Sequence, residues 1–216
     1  MKKRNLPTST FHIYFNVDSV TDKVVRKISN DIAKKYKSNF VLDGKNYKSH
    51  ITLYLFAAPT RNRISIINIL DKHNFSHLPV FLRITNMFAS KGWIMADVDR
   101  RKDIEKHHKN IIHLVNPVRQ YVLRRKYRDG KYFDSLSKAE RNSLLKYGDK
   151  HAFDLYHPHL SISQLLDEEL AIKVARDYNN FLRGQKVVLT SVEMSMGGEG
   201  SGGTGKTVYK KLLTKK

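Results

Sequence analysis

Two short stretches of this chain pair a histidine with a hydroxyl residue two positions later. Residues 49–55 read Ser-His-Ile-Thr-Leu-Tyr-Leu, and residues 157–163 read His-Pro-His-Leu-Ser-Ile-Ser. In a β-strand, residues two apart lie on the same face, so each stretch would present an imidazole beside a hydroxyl while its apolar residues enter the core. The two pairs are His50 with Thr52 and His159 with Ser161.

Two such pairs, brought together, could cleave a phosphodiester without a metal. One neutral imidazole would take a proton from water or from a ribose hydroxyl, and a second, protonated imidazole would give one to the leaving oxygen. An unperturbed imidazole pKa of about 6.5 suits both tasks near neutral pH. The hydroxyls would donate hydrogen bonds to the non-bridging oxygens, where charge grows in the transition state. One motif alone would fit a structural histidine as well, but its repetition favours catalysis.

The elements that must position these motifs alternate between strand-like and helix-like stretches. Strands are predicted at 11–17, 50–56, 80–87, 93–98, 156–163, 186–196 and 207–213, and helices at 20–36, 62–72, 101–114, 137–146 and 167–182. Pro117 predicts a break after the third helix. The sequence Ser137-Lys-Ala-Glu140 is a capping-box pattern that begins the fourth. This order predicts an α+β fold.

The glycine-rich tract Gly200–Thr207, Gly-Ser-Gly-Gly-Thr-Gly-Lys-Thr, reads as a nucleotide-binding P-loop. A P-loop leaves a strand and enters a helix, and a later strand supplies an acidic residue for magnesium. Nine residues follow Thr207, which is too few for that strand. We therefore predict a loop between two antiparallel strands, over which Lys206 could still contact an anionic ligand, as glycine nests do.

The charge of the chain points to a polyanionic partner. Its 216 residues include 40 Lys and Arg against 20 Asp and Glu, a formal net charge of +20. Such an excess indicates nucleic acid or a phosphorylated ligand, with a membrane surface as the rival interpretation. There is no cysteine, which excludes disulfides, thiolate zinc sites and a cysteine nucleophile. Because no signal peptide or membrane span is predicted, we expect a soluble, cytoplasmic monomer, with a nuclear location left open.

Several side chains near the motifs have two interpretations. Tyr54 continues the face of His50, and Tyr156 lies just before the second motif, so each would either stack a base or lie in the core. The basic segment 119–150, with Arg124 and Arg125, is either a solvated face or an electrostatic funnel for an oligonucleotide, and the net charge favours the funnel. Three further histidines lack zinc-site spacing and are expected on the surface. They are His107, His108 and His113.

With these motifs, the sequence resembles the two-histidine (2H) phosphoesterase superfamily. The family signature, two His-x-Thr/Ser-x motifs, is matched by His50-Ile-Thr-Leu and His159-Leu-Ser-Ile. The resemblance covers essentially the whole chain. It implies that residues 1–216 form a single bilobal domain, with two pseudo-symmetric lobes of antiparallel sheet and outer helices around a central cleft. Segment 119–150 has no counterpart in the family pattern.

The resemblance also implies an activity. The catalytic set would be His50, Thr52, His159 and Ser161, with no metal and no cofactor. The substrate would be RNA or an oligonucleotide, most readily a 2′-linked phosphodiester: 2′-5′ oligoadenylate, a cyclic oligonucleotide or a 2′,3′-cyclic phosphate. Whether water or a ribose hydroxyl attacks, and which histidine is the acid, stay open. The alternative is a non-catalytic RNA-binding protein that uses the same basic cleft. Substrate-binding residues are expected at Tyr54, Tyr156, Arg124, Arg125 and Lys206.

Overall fold

The computed structural model describes residues 7–45, 47–75, 81–198 and 205–213. Within these ranges, eight strands and six α-helices form an α+β fold. The strands are β1 (Thr8–Val17), β2 (Ser38–Val41), β3 (His50–Pro59), β4 (Phe81–Ser90), β5 (Trp93–Val98), β6 (His159–Leu165), β7 (Lys186–Gly197) and β8 (Lys206–Leu212). The α-helices are α1 (Ser19–Lys35), α2 (Arg63–Lys72), α3 (Lys102–Val115), α4 (Gly130–Asp134), α5 (Lys138–Tyr147) and α6 (Glu168–Leu182). Short 3-10 helices lie at Thr60–Asn62, Asn116–Arg119, Arg125–Tyr127 and Phe153–Leu155.

All the strand pairings among the described residues are antiparallel. The strand order is β1-β3-β6-β5-β4-β7-β8, with β2 paired to β6 and β1 also paired to β7. The pairings divide the strands into two groups, one of β1, β3, β7 and β8, the other of β2, β4, β5 and β6. The groups meet where β3 pairs with β6 and where β4 pairs with β7. The α+β fold with an antiparallel sheet is therefore confirmed.

Apolar residues that alternate along the strands build the core on one face of the sheet. On β1, Phe11, Ile13 and Phe15 are fully buried in this core. Burying a large apolar side chain contributes about 1.5–3 kcal/mol, so this face dominates the stability of the fold. Helix α1 covers the sheet beside the second motif, where the Ser29 hydroxyl donates to the Ile162 carbonyl of β6 at 2.7 Å.

The predicted elements are present, with boundaries shifted by at most a few residues. The capping box between Ser137 and Glu140 is confirmed, and α3 ends before Pro117, as predicted. Residue 80, where one predicted strand begins, lies outside the described residues. Strand β2 and the short helix α4 were not predicted, because each is too short to show a clear periodicity.

The glycine-rich tract connects two antiparallel strands. Strand β7 pairs with β8, and Ser195 lies opposite Thr207. Thr207 thus lies in a strand, where a P-loop would require the beginning of a helix. The P-loop interpretation is excluded and the antiparallel connection is confirmed. Residues 199–204 of the tract lie outside the described residues.

A β-bulge at Leu53 interrupts the alternation of β3 just after the first motif. On one side of the bulge Thr52 pairs with Tyr14, and on the other Tyr54 pairs with Ile13, so Leu53 is the extra residue. An extra residue shifts every later side chain of the strand to the other face. Tyr54 therefore joins the core face instead of continuing the face of the motif.

The buried imidazole of His108 donates one hydrogen bond to the bulge and accepts another from a neighbouring 3-10 helix. His108 Nδ1 donates to the Leu53 carbonyl at 2.6 Å, and its Nε2 accepts from the Phe153 N–H at 3.0 Å. The imidazole is therefore neutral, with its proton on Nδ1. The expectation of surface histidines is wrong for His107 and His108, which are 5% and 1% exposed, and right for His113.

We predict that His108 makes the fold sensitive to acid. Burial lowers the pKa of His108 to about 4. Between pH 6.5 and 4 the unfolded chain binds a proton here that the folded chain does not, so the free energy of unfolding falls as the pH falls. The loss across this window is about 3 kcal/mol at most. His108→Gln should lower stability at pH 7 and flatten the pH dependence, as measured by urea denaturation.

The matched control for this prediction is His113→Gln, because His113 is exposed on the same helix. This variant should keep the wild-type dependence of unfolding free energy on pH. An unchanged slope between pH 4 and 6.5 in His108→Gln would contradict the assigned role of the buried imidazole.

Candidate active site

The two motif strands lie side by side at the junction of the two strand groups. Ile51 of β3 pairs with Leu160 of β6, and both side chains are fully buried. Continued by one residue in each direction, this antiparallel register sets Thr52 opposite His159 and His50 opposite Ser161. The two histidines are then diagonal neighbours, about 7–8 Å apart at their backbones. All four polar side chains lie on the face opposite the core, and each is half-buried.

Each motif histidine is held in the same way by a backbone carbonyl. His50 Nδ1 lies 2.8 Å from the Lys48 carbonyl oxygen, and His159 Nδ1 lies 2.7 Å from the His157 carbonyl oxygen. A carbonyl oxygen can only accept, so Nδ1 of each ring carries a proton. In the neutral form Nε2 therefore has the free lone pair. Nε2 is therefore the atom through which either ring could exchange a proton with a ligand.

Opposed effects set the pKa of these two imidazoles. Burial, the largest effect, lowers the pKa of His50 and of His159 below its ordinary value. The hydrogen bond from each Nδ1 to a carbonyl stabilises the charged ring and raises the pKa. His159 also experiences repulsion from His157 and His151 and a weaker attraction from Asp97. Both rings therefore favour the neutral form at neutral pH. The carbonyl that accepts from each Nδ1 also stabilises the charged form.

A third histidine, which the sequence analysis missed, contacts the first motif from β1. His12 Nε2 lies 2.8 Å from the Thr52 hydroxyl oxygen, and its ring packs against that of His50 with centroids 4.8 Å apart. His12 is 4% exposed. The signal for His12 in the sequence is its alternation with two other polar residues, Tyr14 and Asn16, along an otherwise apolar strand. The sequence did not show that this strand lies next to β3.

A row of polar residues extends from Thr52 across the neighbouring strands. Tyr14 lies opposite Thr52, Glu193 lies opposite Tyr14, and Lys210 lies opposite Glu193. The Tyr14 hydroxyl donates to Glu193 Oε2 at 3.2 Å, and Lys210 Nζ lies 3.2 Å from Glu193 Oε1. Burial raises the pKa of Glu193, but hydrogen bonds from Lys210 and Ser191 outweigh it and hold the pKa low. The ionised carboxylate therefore fixes β1 and β7 behind the first motif.

On the other side of the site, an ion pair supports the second motif. His157 Nε2 lies 3.0 Å from Asp97 Oδ1, and Asp97 lies opposite His159 on β5. The hydrogen bond to Asp97 raises the pKa of His157. The His157 carbonyl also accepts from His159. The ion pair with Asp97 therefore holds in place the residue that orients the His159 imidazole.

The two tyrosines expected to stack a base lie in the core. Tyr54 is fully buried, and its hydroxyl donates to the Tyr147 carbonyl. Tyr156 is 5% exposed, stacks on His108 at 3.7 Å, and donates to the Thr52 carbonyl at 3.0 Å. Neither ring offers a face to a ligand. Base stacking is therefore wrong for both, because the bulge turns Tyr54 inward and Tyr156 packs beneath the first motif.

The three basic residues expected to bind substrate have different environments. Arg124 is 5% exposed, with its guanidinium 5.7 Å from the centre of the Tyr127 ring. Arg125 is exposed. Lys206 is also exposed, but it lies opposite Met196, which pairs with the core residue Phe11. The register thus places Lys206 on the sheet face away from the motifs, which does not support a role for it in this site.

No group of three or more His, Cys, Asp or Glu side chains in the described part of the chain is arranged to hold a metal ion. The helices of the described ranges include none that is long and apolar enough to cross a membrane.

Comparisons with known proteins find similarity only among solved structures. No protein-family model matches the chain, and no curated protein sequence does. Usb1 of Kluyveromyces marxianus is similar over 96% of this chain and 98% of its own, with 9% identity and a TM-score of 0.48. LigT of E. coli, solved with NADP+, is similar over 97% and 96%, with 11% identity and a TM-score of 0.48. Usb1 with uridine monophosphate is similar over 95% and 98%, with 11% identity and a TM-score of 0.44.

We predict a bell-shaped pH dependence of kcat/KM for phosphodiester cleavage in buffers that contain EDTA. One imidazole must be neutral and the other charged, so activity falls on both sides of an optimum. Because burial lowers the pKa of both imidazoles in the unliganded protein, the optimum should lie on the acid side of pH 6.5. A profile that rises steadily above pH 8 would contradict this assignment.

Proposed function

We propose that this chain is a metal-independent phosphodiesterase of the two-histidine type, and that residues 1–216 act as one bilobal unit. One observation carries the proposal: His50 and His159 lie on neighbouring strands with each Nδ1 donating to a backbone carbonyl. This arrangement leaves two Nε2 atoms as proton carriers on one face, each beside a hydroxyl. General acid–base catalysis of phosphoryl transfer requires this pair of groups.

In the proposed reaction, the neutral imidazole removes a proton through Nε2 from a ribose hydroxyl or from water. The attacking oxygen bonds to phosphorus as the bond from phosphorus to the leaving oxygen breaks. The second imidazole, charged at the outset, gives its Nε2 proton to the leaving oxygen. The protein ends with the charge moved from one histidine to the other, and proton exchange with water resets it.

The two hydroxyls would stabilise the charge on the non-bridging oxygens. Thr52 has a single hydroxyl proton, so it can give that proton to the phosphate only when the imidazole N–H is the donor in its hydrogen bond with His12. His12 Nε2 lies where it can supply that hydrogen bond, at 2.8 Å. His12 would therefore orient the Thr52 proton toward the substrate. Ser161, opposite His50 in the register, would act on the other side of the phosphate.

The proposed substrate is RNA or an oligonucleotide, since the chain carries a formal net charge of +20. Neutralising several phosphates with Lys and Arg makes binding strong and salt-dependent. A 2′-linked phosphodiester is the preferred target within this class: 2′-5′ oligoadenylate, a cyclic oligonucleotide or a 2′,3′-cyclic phosphate. The other candidate, a non-catalytic RNA-binding protein, would need the charge but not the paired imidazoles.

We predict that wild-type protein cleaves at least one member of a substrate panel in EDTA. The panel comprises 2′-5′ linked and 3′-5′ linked oligonucleotides, cyclic dinucleotides and strands that end in a 2′,3′-cyclic phosphate. His50→Ala and His159→Ala should each lower kcat by about 10²–10⁴-fold with little change in binding, since each removes one proton-transfer step. Product analysis by chromatography measures the cleavage.

The matched control is His113→Ala, which removes an exposed histidine far from the motifs in the sequence and should leave the rate unchanged. Salt-sensitive binding without cleavage of any panel member would contradict the proposed enzyme and support the binding protein.

A further inference from the structure

Three aromatic side chains from separate parts of the chain meet on the surface of the sheet. The ring centres of Phe40 and Trp93 lie 5.2 Å apart, and those of Phe40 and Tyr47 lie 5.6 Å apart. Phe40 belongs to β2, Trp93 begins β5, and Tyr47 lies in the loop before β3. We call these three residues the aromatic group.

The aromatic group lies on the sheet face that carries the motifs. On β5, Ile94 and Ala96 are fully buried in the core, so Trp93 and Met95 point to the opposite face. Met95 lies opposite Ser161 of the second motif. Trp93 therefore shares the face of Ser161 and lies about 7 Å further along its strand than Met95.

Both motif strands lead to the aromatic group. Tyr47 stands three residues before His50 in the chain, and Trp93 lies opposite Gln164, which stands three residues after Ser161. Because β3 and β6 are antiparallel, the chain before His50 and the chain after Ser161 run toward the same end of the site. The aromatic group thus borders the site at the end where His50 and Ser161 face each other.

The backbone holds the two outer rings of the group in defined positions. Trp93 follows a tight turn in which Lys91 and Gly92 have φ of 51° and 77°, and the Gly92 carbonyl accepts from the Leu165 N–H at 2.9 Å. The Tyr47 N–H donates to Asp43 Oδ1 at 2.9 Å, and the Tyr47 carbonyl accepts from the Gly44 N–H at 3.0 Å. Rings positioned in advance lose little freedom when a ligand binds.

These rings have surface available for a ligand. Trp93 is 37% exposed and Tyr47 is 39% exposed, while Phe40 packs partly against the core. Phe40 is inclined at 43° to Trp93 and at 45° to Tyr47, so neither pair of rings is stacked face to face. Two exposed lysines stand close by in the chain, Lys48 directly after Tyr47 and Lys91 two residues before Trp93. Aromatic surface beside positive charge is typical of sites for single-stranded nucleic acid.

We propose that the aromatic group binds a nucleobase of the substrate, stacked on Trp93 and Tyr47, while the attached phosphate lies at the motifs. The inference rests on the proposed function and narrows its substrate class. The nucleotide on the His50 side of the cleaved bond carries an unpaired base, as in a single strand or a free end. Because every base has a π-face, the site accepts any of the four.

The fluorescence of Trp93 tests this contact directly, because Trp93 is the single tryptophan of the chain. His159→Ala protein would be titrated with 2′-5′ and 3′-5′ linked adenosine dinucleotides. Each would be compared with two analogues that lack either the first or the second base. We expect the intact dinucleotide of at least one linkage to quench Trp93. One of its two abasic analogues should not, which identifies the stacked nucleoside.

Calorimetric titration in the same background measures what the contact contributes to binding. Removing the stacked base should weaken binding about tenfold, as expected for the loss of one base–aromatic stack. Adding Trp93→Ala or Tyr47→Leu should bring the ratio of the two affinities close to one. The affinity for the abasic analogue should change less than twofold in both variants.

Two further variants serve as controls. Phe181→Ala removes another exposed aromatic ring, on α6, whose buried residues belong to the core, and should keep the ratio. Trp93→Phe should retain most of it. Thermal melting of each variant checks that the fold is intact, and Tyr47→Leu keeps the test valid if Trp93→Ala does not fold.

Three results would overturn the proposal. The first is the absence of any change in Trp93 fluorescence with every intact dinucleotide. The second is a ratio that Tyr47→Leu and Trp93→Ala leave unchanged. The third is an equal loss of affinity for intact and abasic ligands in these variants, which would show only a general disturbance of the surface.

The outcome is independent of the proposed catalysis. A base preference that depends on Trp93, in a wild-type protein that cleaves no member of the substrate panel, would keep the base site and reject the enzyme. Cleavage without that preference would keep the enzyme and reject the base site.

Discussion

The pairing of Ile51 with Leu160 brings the two motif strands into register, and the geometry of the site depends on it. Both side chains are fully buried, so the same contact that joins the two strand groups is anchored in the core. Strand alternation then directs the histidine and hydroxyl of each motif to the opposite face. A slip of one residue in either strand would send an imidazole into the core and an isoleucine or leucine onto the face that carries the motifs.

Around this contact, hydrogen bonds and ion pairs between polar side chains hold the strands of the site together. On the side of the first motif, the Glu193 carboxylate connects Tyr14 of β1 with Lys210 of β8. On the side of the second, Asp97 holds His157, whose carbonyl orients His159. Such groups are costly to bury without partners, because each one would lose its hydrogen bonds to water. The partners of Glu193 explain how these strands can bury a carboxylate on one face and still pack tightly.

The strands, the helices and the two histidine–hydroxyl pairs could be predicted from the sequence, because these follow from local rules. Alternation predicted the faces of His50 and His159, and the capping box predicted the start of α5 at Lys138. The other features of the site depend on packing between residues that are distant in the chain. The bulge that turns Tyr54 inward depends on His108, which lies 55 residues away in the chain and donates to Leu53. No local pattern marks such a contact.

The same limit applies to charge. A run of basic residues indicates a polyanionic partner but not which side chains face it. Arg119 lies inside the fold, satisfied by backbone and side-chain oxygens, whereas Lys126 is exposed and its Nζ lies over the Tyr127 ring. Lys206 belongs to a glycine-rich tract that resembles a phosphate-binding motif, yet β-sheet register places it on the other face. Position in the fold, rather than residue type, separates these roles.

His50 and His159 each keep Nε2 free on the sheet face that carries both motifs, because a backbone carbonyl accepts the Nδ1 proton of each ring. Long-range ¹H–¹⁵N correlation spectra of protein labelled with ¹⁵N-histidine, recorded at pH 8, measure which nitrogen carries the proton. We predict the Nδ1-protonated tautomer for both residues, whose signals are assigned by their loss in His50→Ala and His159→Ala. An Nε2-protonated tautomer at either position would contradict the paired proton carriers on which the proposed catalysis depends.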